Sequence, residues 1–275
     1  MESLRNKVAV VTGTSSGIGR EVAKLLAAEG CRVGLVARRE PHLRELAAEI
    51  GGSACFAAAD VRDGASLAAA VATIRSAFGP IDLAIANAGV DRPTRLDPVN
   101  LADVEEMFHV NVLGMVHTFA AVLPEMLARR SGRVVAVSSL AGYRGLPGES
   151  AYCASKAAVI SYMDGLRIQL RGTGVHATTV CPGFVKTPMT AHHRFEMPFV
   201  MSAEAAAGRI VQAVKRGRKV YDFPWQVSLA TKLSRWVPDV LMRWVMDGYT
   251  GDAREADRPA ALSQAVDRRR PEQAG

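Results

Sequence analysis

Tyr152 and Lys156 stand four residues apart in the segment Tyr152-Cys153-Ala154-Ser155-Lys156, which places both on the same face of a helix. A phenol has a reference pKa of about 10 and is a poor base at neutral pH. A nearby ammonium favours the phenolate and lowers that pKa, so that the same group can donate or accept a proton. The spacing predicts an acid/base pair, although Tyr and Lys at this spacing also occur by chance on ordinary helices.

A hydroxyl group that could assist this pair belongs to Ser139, thirteen residues before Tyr152, at the end of the apolar run that begins at Val134. The carboxyl ends of parallel strands form the ligand-binding edge of a sheet. A hydroxyl at that edge could hydrogen-bond a substrate carbonyl and polarise it. Ser138 directly precedes Ser139, but the spacing to Tyr152 favours Ser139.

A glycine-rich loop follows the first apolar run and precedes the first helical segment. Glycine lets the backbone turn tightly and approach a pyrophosphate, and the helix N-terminus supplies free N–H donors. The spacing TGxxxGxG differs from the common dinucleotide fingerprint GxGxxG. The position of the loop predicts dinucleotide contacts from Gly13, Ser15, Ser16, Gly17, Ile18 and Gly19.

The end of the second apolar run decides between NAD and NADP. A carboxylate there would bind the ribose 2′-hydroxyl of NAD, whereas arginine accommodates the 2′-phosphate of NADP. The sequence has Ala37 in that place, followed by Arg38 and Arg39. Two solvated arginines are the alternative, but cations at a helix N-terminus are unfavourable unless an anion binds there. We predict NADP(H) as the cofactor. Arg38 is the first candidate for binding its 2′-phosphate, and Arg39 is the second.

The elements that must position these groups alternate along the chain. Short apolar runs typical of strands buried on both faces occur at Val8–Val11, Arg32–Val36, Ala54–Ala58, Leu83–Ala86, Val134–Val137 and Val175–Val180. Segments with helical periodicity lie between them, at Gly17–Glu29, Pro41–Ile50, Ala65–Ala77, Leu101–Ala128 and Ala151–Arg171. This alternation predicts an α/β fold with a doubly wound parallel sheet.

The chain divides into three parts that differ in residue composition. Residues 1–222 form the predicted catalytic and dinucleotide-binding domain, residues 223–250 a helical amphipathic extension, and residues 251–275 a tail of disordered composition. Pro238 is expected to split the extension into two short helices. Its tryptophans and basic residues leave three roles open for residues 224–246: contact with a membrane surface, an oligomer contact or pocket cover, and core packing.

Composition excludes several other classes of function. The net charge is +7, but no basic stripe with interleaved aromatic residues indicates nucleic-acid binding. The four cysteines lack metal-ligand spacing, and His192 and His193 have no third ligand nearby, so we expect no metal site. The N-terminus runs directly into a strand without a signal pattern, and we expect a cytoplasmic protein that is membrane-associated if the extension binds lipid.

Seven motifs, in this order, give the chain its resemblance to the short-chain dehydrogenase/reductase family between about residues 7 and 220. They are the glycine-rich loop, Asp60-Val61, Asn87-Ala88-Gly89, Asn111, Ser139, the Tyr152/Lys156 pair and the run from Pro182 to Thr187. The departures are small: Ala86 stands where many members have a further Asn. The resemblance implies a single Rossmann-type domain with about seven strands and helices on both faces of the sheet.

The resemblance also implies roles for individual residues. Asp60 and Val61 would contact adenine, Asn87-Ala88-Gly89 would support the sheet beside the cofactor, and Asn111 would anchor a water for proton relay. Ser139, Tyr152 and Lys156 would act together, with Lys156 also holding the nicotinamide ribose. The remaining cofactor contacts would come from Pro182, Gly183, Val185 and Thr187. Family members usually associate through the two long helices, so we expect a homodimer or homotetramer.

The predicted reaction is hydride transfer between NADP(H) and the carbonyl or secondary alcohol of a moderately large apolar small molecule. Apolar side chains in the loop 186–201 favour such a substrate: Met189, Phe195, Met197, Phe199 and Met201. The alternative reaction is reduction of a 3-oxoacyl thioester. The alternative of another class is a non-catalytic NADP-sensing regulator, which would not need Ser139, Tyr152 and Lys156 together.

Overall fold

The computed structural model describes residues 3–191 and 197–245. Within them, a parallel sheet runs in the order β3-β2-β1-β4-β5-β6-β9. Its strands are β1 (Val8–Thr12), β2 (Arg32–Ala37), β3 (Ala54–Ala58), β4 (Leu83–Ala86), β5 (Gly132–Val137), β6 (Val175–Pro182) and β9 (Val220–Phe223). Two short strands, β7 (Val185–Lys186) and β8 (Met201–Ser202), pair in parallel beside it.

Helices cover both faces of the sheet. They are α1 (Gly17–Ala28), α2 (Glu40–Ile50), α3 (Gly64–Phe78), α4 (Leu101–Phe108), α5 (Gly114–Ala120), α6 (Leu123–Arg129), α7 (Ser150–Gln169), α8 (Ala203–Lys215), α9 (Trp225–Ser234) and α10 (Asp239–Val245). A π-helical turn, His109–Leu113, joins α4 to α5, and a 3-10 turn, Leu140–Tyr143, follows β5. The prediction of a doubly wound Rossmann-type α/β domain is confirmed.

The strands are apolar because each contributes to two cores. Along β1, Val8 and Val10 belong to the core beneath α3, α5 and α7, whereas Ala9 and Val11 belong to the core beneath α1, α2 and α8. All five residues of β1 are buried. Alternate side chains of a strand point to opposite faces, so a strand covered on both sides must be apolar throughout.

The crossover between the two halves of the sheet creates the crevice that holds the site. Strand β1 pairs with β2 on one side and with β4 on the other. The chain therefore adds β2 and β3 on one side of β1 and all later strands of the sheet on the other side, beginning with β4. Ligands of open α/β sheets bind beyond the carboxyl ends of the strands at such a point. The glycine-rich loop after β1 and the segment after β4 therefore meet there.

The predicted helical segment Leu101–Ala128 corresponds to the helical stretch Leu101–Arg129, which is irregular at two points. The chain forms α4, the π-helical turn and α5, then turns at Ala121 and Val122 before α6 begins. Proline near the start of α6 explains the last break, because Pro124 has no N–H for the preceding helix. The stretch Leu101–Arg129 is long and apolar enough to cross a membrane, with a mean hydropathy of 1.4. Its buried Met107, Met115 and Phe119 contribute to the core, which accounts for that apolarity.

Two elements beyond the sixth predicted strand complete the domain. Helix α8 packs against α1 through buried residues such as Ile210 and Val211, and β9 adds to the edge of the sheet beside β6. The predicted domain boundary at residue 222 falls inside β9. Pro238 separates α9 from α10, as the sequence predicts. His192, His193 and Phe195 of the loop 186–201, and the tail from residue 246 onward, lie outside the described residues.

Candidate active site

The glycine-rich loop leaves β1 and enters α1 in a conformation that requires glycine. Gly13 and Gly17 have φ angles of +75° and +58°, in the left-handed region that other residues rarely adopt. A Cβ on Gly13 would lie 2.8 Å from Cα of Ala88, and one on Gly17 would lie 3.2 Å from Cγ2 of Thr187. Glycine at these positions lets the loop pack closely against Ala88 and Thr187. The loop leads into the N-terminus of α1, where N–H donors favour phosphate.

Gly19 has a different place from the rest of the loop. It is buried, and a Cβ there would lie 2.4 Å from both Asn87 Nδ2 and the Gly13 carbonyl oxygen. Gly19 packs closely beneath the loop and is not among the residues that line the cleft, and its cofactor contact stays a prediction.

A cavity of about 260 Å³ extends from this loop along the carboxyl edge of the sheet. Its wall contains every other predicted cofactor residue and most of the predicted catalytic ones. These are Gly13, Ser15, Ser16, Gly17, Ile18, Arg38, Arg39, Asp60, Val61, Asn87, Ala88, Gly89, Ser139, Tyr152, Lys156, Pro182, Gly183, Val185 and Thr187. The motifs come together in one continuous cleft although they span 175 residues of sequence.

The two arginines after β2 lie at one end of the cleft, and both are exposed. Arg39 Nη2 donates to Ser15 Oγ at 2.8 Å and to Ser16 Oγ at 3.2 Å. Asp60 binds Arg62 through Nε at 2.9 Å, and this hydrogen bond holds the pKa of Asp60 below its usual value. Through its bonds to Ser15 and Ser16, Arg39 is attached to the glycine-rich loop, which makes it at least as suitable a phosphate ligand as Arg38.

A polar contact that sequence reasoning missed joins β1 to β4 beneath the cleft. Asn87 Nδ2 donates to the Thr12 carbonyl at 3.0 Å, and the backbone N–H groups of Asn87 and Ala88 donate to Thr12 Oγ1. Thr12 is buried, so these bonds fix the ends of the two strands at the crossover. Asn87 supports the sheet, as the resemblance implies.

The three predicted catalytic residues meet at the other end of the cleft. Ser139 and Tyr152 both line the cleft, and Lys156 Nζ lies 5.7 Å from the centre of the Tyr152 ring. Lys156 Nζ also donates to the Val137 carbonyl at 3.1 Å. Ser138 is buried and donates to the Lys156 carbonyl at 2.9 Å. Ser138 Oγ is thus engaged in that bond, and Ser139 stays the serine that the spacing predicts to act with Tyr152.

Asn111 stands behind the catalytic residues, in the π-helical turn. Its Oδ1 accepts from Val90 N at 2.8 Å, and its Nδ2 donates to the Val90 carbonyl and to Ser155 Oγ, both at 2.9 Å. The side chain is buried and outside the described cavity wall. Asn111 thus holds the segment after β4 against α7, and its side-chain amide is fully engaged in that contact.

Burial has the largest effect on both ionisable groups of the pair. It raises the pKa of Tyr152 above its usual value, and the charges of Asp91 and Glu149 act in the same direction. Burial lowers the pKa of Lys156 to about 8, although the charge of Asp91 raises it. In the folded chain, burial of the phenol thus acts against the lowering of the Tyr152 pKa that the Tyr/Lys spacing predicts.

The residues form a consistent binding site for a dinucleotide. The open glycine backbone and the helix N-terminus suit a pyrophosphate, the arginines and Ser15 offer donors to an anionic ribose end, and the Tyr/Lys pair lies at the opposite end. No group of three or more His, Cys, Asp or Glu side chains suited to a metal occurs among the described residues. A parallel sheet with this cleft and this acid/base pair defines a dinucleotide-dependent oxidoreductase.

Comparison with known proteins agrees with this class. Residues 7–197 match the family described as short chain dehydrogenase, and the chain belongs to that family. A curated relative, an uncharacterized oxidoreductase of Myxococcus xanthus, is 39% identical over 244 residues, covering 88% of this chain and 96% of its own. The ketoacyl reductase HetN of Nostoc sp. is 36% identical over 222 residues, covering 78% of this chain and 77% of its own.

Solved structures share the fold. A short chain dehydrogenase/reductase from Burkholderia phymatum in complex with NAD aligns with a TM-score of 0.79 and 26% identity, over 88% of this chain and 97% of the other. A variant of actinorhodin polyketide ketoreductase with NADPH aligns with a TM-score of 0.73 and 27% identity, over 81% and 97%. The two neighbours hold different nicotinamide cofactors, so they support a nicotinamide cofactor without distinguishing NAD from NADP.

Proposed function

We propose that this protein is an NADP(H)-dependent reductase of an apolar carbonyl compound, with Tyr152 as the proton donor. The observation that carries the proposal is that Ser139, Tyr152 and Lys156 line the same cleft as the glycine-rich loop. A cofactor-sensing regulator would need the loop but not the hydroxyl pair with Lys156 beside it. The catalytic reading accounts for all of these groups.

The chain's own residues carry the proton and orient the substrate. The nicotinamide, when bound, supplies or accepts the hydride. Ser139 and Tyr152 donate hydrogen bonds to the carbonyl oxygen and stabilise the negative charge that develops on it. Tyr152 then transfers its proton to that oxygen. The raised pKa of Tyr152 keeps the phenol protonated at neutral pH, which favours reduction of a carbonyl over oxidation of an alcohol.

The preference for NADP(H) is supported by charge at the end of β2. Ala37 offers no carboxylate to a 2′-hydroxyl, and Arg38 and Arg39 both line the cleft. Arg39 is already oriented by Ser15 and Ser16, so a 2′-phosphate would meet a fixed guanidinium.

An apolar substrate is supported by the wall near the catalytic end. Val90, Pro188 and Met189 line the cleft beyond the phosphate-binding residues, and Met is adaptable to varied apolar shapes. A 3-oxoacyl thioester is the second candidate substrate, favoured by the names of a relative and a structural neighbour, a ketoacyl reductase and a polyketide ketoreductase.

The deciding experiment follows the loss of NADPH or NADH absorbance over ketosteroids, long-chain ketones and aldehydes, quinones and 3-oxoacyl thioesters. Turnover of one chemical class with NADPH preferred is the expected result. Equal efficiency with NADH would contradict the cofactor proposal. Tight NADPH binding with no turnover of any class would favour the regulator instead.

Assembly and membrane contact belong to the same proposal. Large apolar side chains are exposed on the predicted dimer helices, among them Leu113, Tyr162 and Ile168, which supports a homodimer or homotetramer.

Exposed apolar residues also lie along the extension, with Trp225, Trp236 and Val240 exposed by 69%, 86% and 82%. These values argue against core packing, and the exposed Lys232 and Arg235 add the charge that an anionic lipid surface attracts. We therefore favour membrane contact for α9 and α10, in a cytoplasmic protein whose four cysteines are free thiols.

A further inference from the structure

Two carboxyl groups that no motif assigns act on the catalytic pair. Asp91 follows the Asn87-Ala88-Gly89 segment and is 5% exposed. Glu149 is half-buried and stands immediately before α7, and the charge of Asp91 acts on its carboxyl group. Neither residue is in the described wall of the cleft.

The chain holds these two segments together at several points. Asn111 binds both backbone groups of Val90, which fixes the residue before Asp91. Thr94 N donates to the Gly148 carbonyl at 2.6 Å, and Ala151 N donates to Thr94 Oγ1 at 3.0 Å. The carboxyl pair is therefore part of a rigid contact between the end of β4 and the start of α7.

Two carboxylates cannot both ionise easily in such a place, because like charges that are close together in a desolvated site repel. Burial and the neighbouring Asp91 raise the pKa of Glu149 well above its ordinary value. Glu149 Oε2 is also buried without a hydrogen-bond partner among the described residues, which a neutral acid tolerates better than an anion. At neutral pH we therefore expect the pair to hold one proton and one negative charge between its two carboxyl groups.

That charge acts on both catalytic groups. Around Tyr152 the ionisable neighbours are Asp91, Glu149 and Cys153, with Lys156 over the ring; around Lys156 they are Asp91 and Cys181. Of these, Asp91 is the neighbour whose charge keeps a proton on Tyr152 and on Lys156 alike. Burial alone would drive Lys156 toward the neutral amine.

We propose that Asp91 and Glu149 are positioning residues that share one proton and hold a single negative charge against Tyr152 and Lys156, so that both groups stay protonated for delivery to a carbonyl. The pair would thereby set the pH range and the favoured direction of the reaction. The statement about direction rests on the proposed function, whereas the effect on Lys156 does not.

The primary test needs neither substrate nor cofactor. The pH titration of Lys156 is followed through its ¹³Cε chemical shift in ¹³C-lysine-labelled protein, with the resonance assigned from Lys156→Met. In Glu149→Gln the carboxylate of Asp91 can still hold the negative charge, and the midpoint should match that of the wild type. In Asp91→Asn/Glu149→Gln the charge is gone, and the midpoint should fall by about one pH unit or more.

A second readout uses turnover once a substrate is known. Loss of the charge should move the alkaline limb of the kcat profile for carbonyl reduction to lower pH in the double variant, with NADPH affinity at pH 6.5 unchanged. Coincident Lys156 midpoints in wild type and double variant would overturn the proposal, whatever the activity. A shifted midpoint in a protein that reduces no carbonyl would leave the electrostatic role intact and defeat the proposed function instead.

Discussion

The Tyr143 hydroxyl donates to both carboxylate oxygens of Asp222, at 3.0 and 3.2 Å. From α9, Ser228 Oγ donates to the same carboxylate at 3.1 Å, and the Lys232 ammonium forms an ion pair with it. Tyr143 belongs to the 3-10 turn that begins one residue after Ser139. One carboxylate at the end of β9 therefore joins the turn beside the active site to the C-terminal helices.

Removal of that carboxylate should loosen α9 and destabilise the fold. In Asp222→Ala, three donors lose their common acceptor, and we expect the free energy of unfolding to fall by about 1–3 kcal/mol. Urea denaturation measures the loss. Ser228→Ala removes one donor and leaves the carboxylate bound to the other two, so its loss should be smaller. An Asp222→Ala protein as stable as the wild type would show that α9 is held by other contacts.

The acid/base role of Tyr152 predicts a separation between binding and turnover. Tyr152→Phe keeps the ring beside Lys156 but removes the proton donor, so kcat should fall by about 100- to 10,000-fold. The Kd for NADPH should stay within about twofold of the wild-type value, because a twofold change corresponds to only about 0.4 kcal/mol. Steady-state turnover assays measure kcat, and fluorescence titration measures the affinity for NADPH. Tyr162→Phe, on the exposed side of the same helix, is the matched control and should leave both unchanged. Retained turnover in Tyr152→Phe would exclude the mechanism.

The parts of the fold with local signals were predictable from the sequence. The apolar runs indicate β1 to β6 because strands buried on both faces must be apolar throughout. Strand β9 is missed because Val220–Phe223 includes an aspartate, Asp222, whose charge is satisfied only by partners distant in sequence. The π-helical turn around Asn111 is missed because it is a single-turn feature inside a helix, and the sequence carries no proline or glycine at Asn111 that would mark it.

The candidate site likewise contains residues that the sequence predicts and residues that it does not. Ser139, Tyr152 and Lys156 are recognisable by spacing, since a strand end and one helix face bring them together. Asp91 and Glu149 are 58 residues apart in sequence and carry no spacing rule, so their contact appears only in the folded chain. The pKa of Tyr152 likewise depends on burial, which the Tyr/Lys spacing does not encode.

Burial of Lys156 predicts a pH-dependent cost to stability. Its pKa is lowered from 10.5 to about 8, so between these values the unfolded chain binds more protons than the folded one, and this group's contribution to stability rises with pH. Lys156→Met removes the contribution. The stability of the wild type relative to Lys156→Met should therefore increase by about 1 kcal/mol from pH 7 to pH 9, as measured by urea unfolding. A constant difference across that range would mean that Lys156 is not desolvated.

The contact of Arg39 with Ser15 and Ser16 leads to a test of cofactor choice. Arg39→Ala should raise the KM for NADPH by about 10- to 100-fold, because a charge-assisted hydrogen bond contributes roughly 1.5–3 kcal/mol, and should leave the KM for NADH unchanged. Arg44→Ala removes an exposed arginine that pairs with Glu40 and serves as the control. Equal losses with both cofactors would show that Arg39 only shapes the glycine-rich loop.

Membrane contact through the extension predicts binding that depends on both tryptophans and charge. Trp225→Ala/Trp236→Ala should abolish sedimentation of the protein with vesicles containing anionic phospholipid, because the exposed rings supply the apolar area that inserts at the interface. Binding of the wild type should weaken with added salt, which screens Lys232 and Arg235.

Val99→Ala removes an equally exposed apolar side chain, 63% exposed, from a segment outside the extension, and should leave vesicle binding unchanged. Failure of the wild type to sediment with anionic vesicles would contradict membrane contact. If the double tryptophan variant instead lowers the oligomeric mass measured by light scattering, the exposed face of α9 and α10 serves a second copy of this chain. The two outcomes are distinguishable because only lipid binding requires vesicles, and only self-association depends on protein concentration.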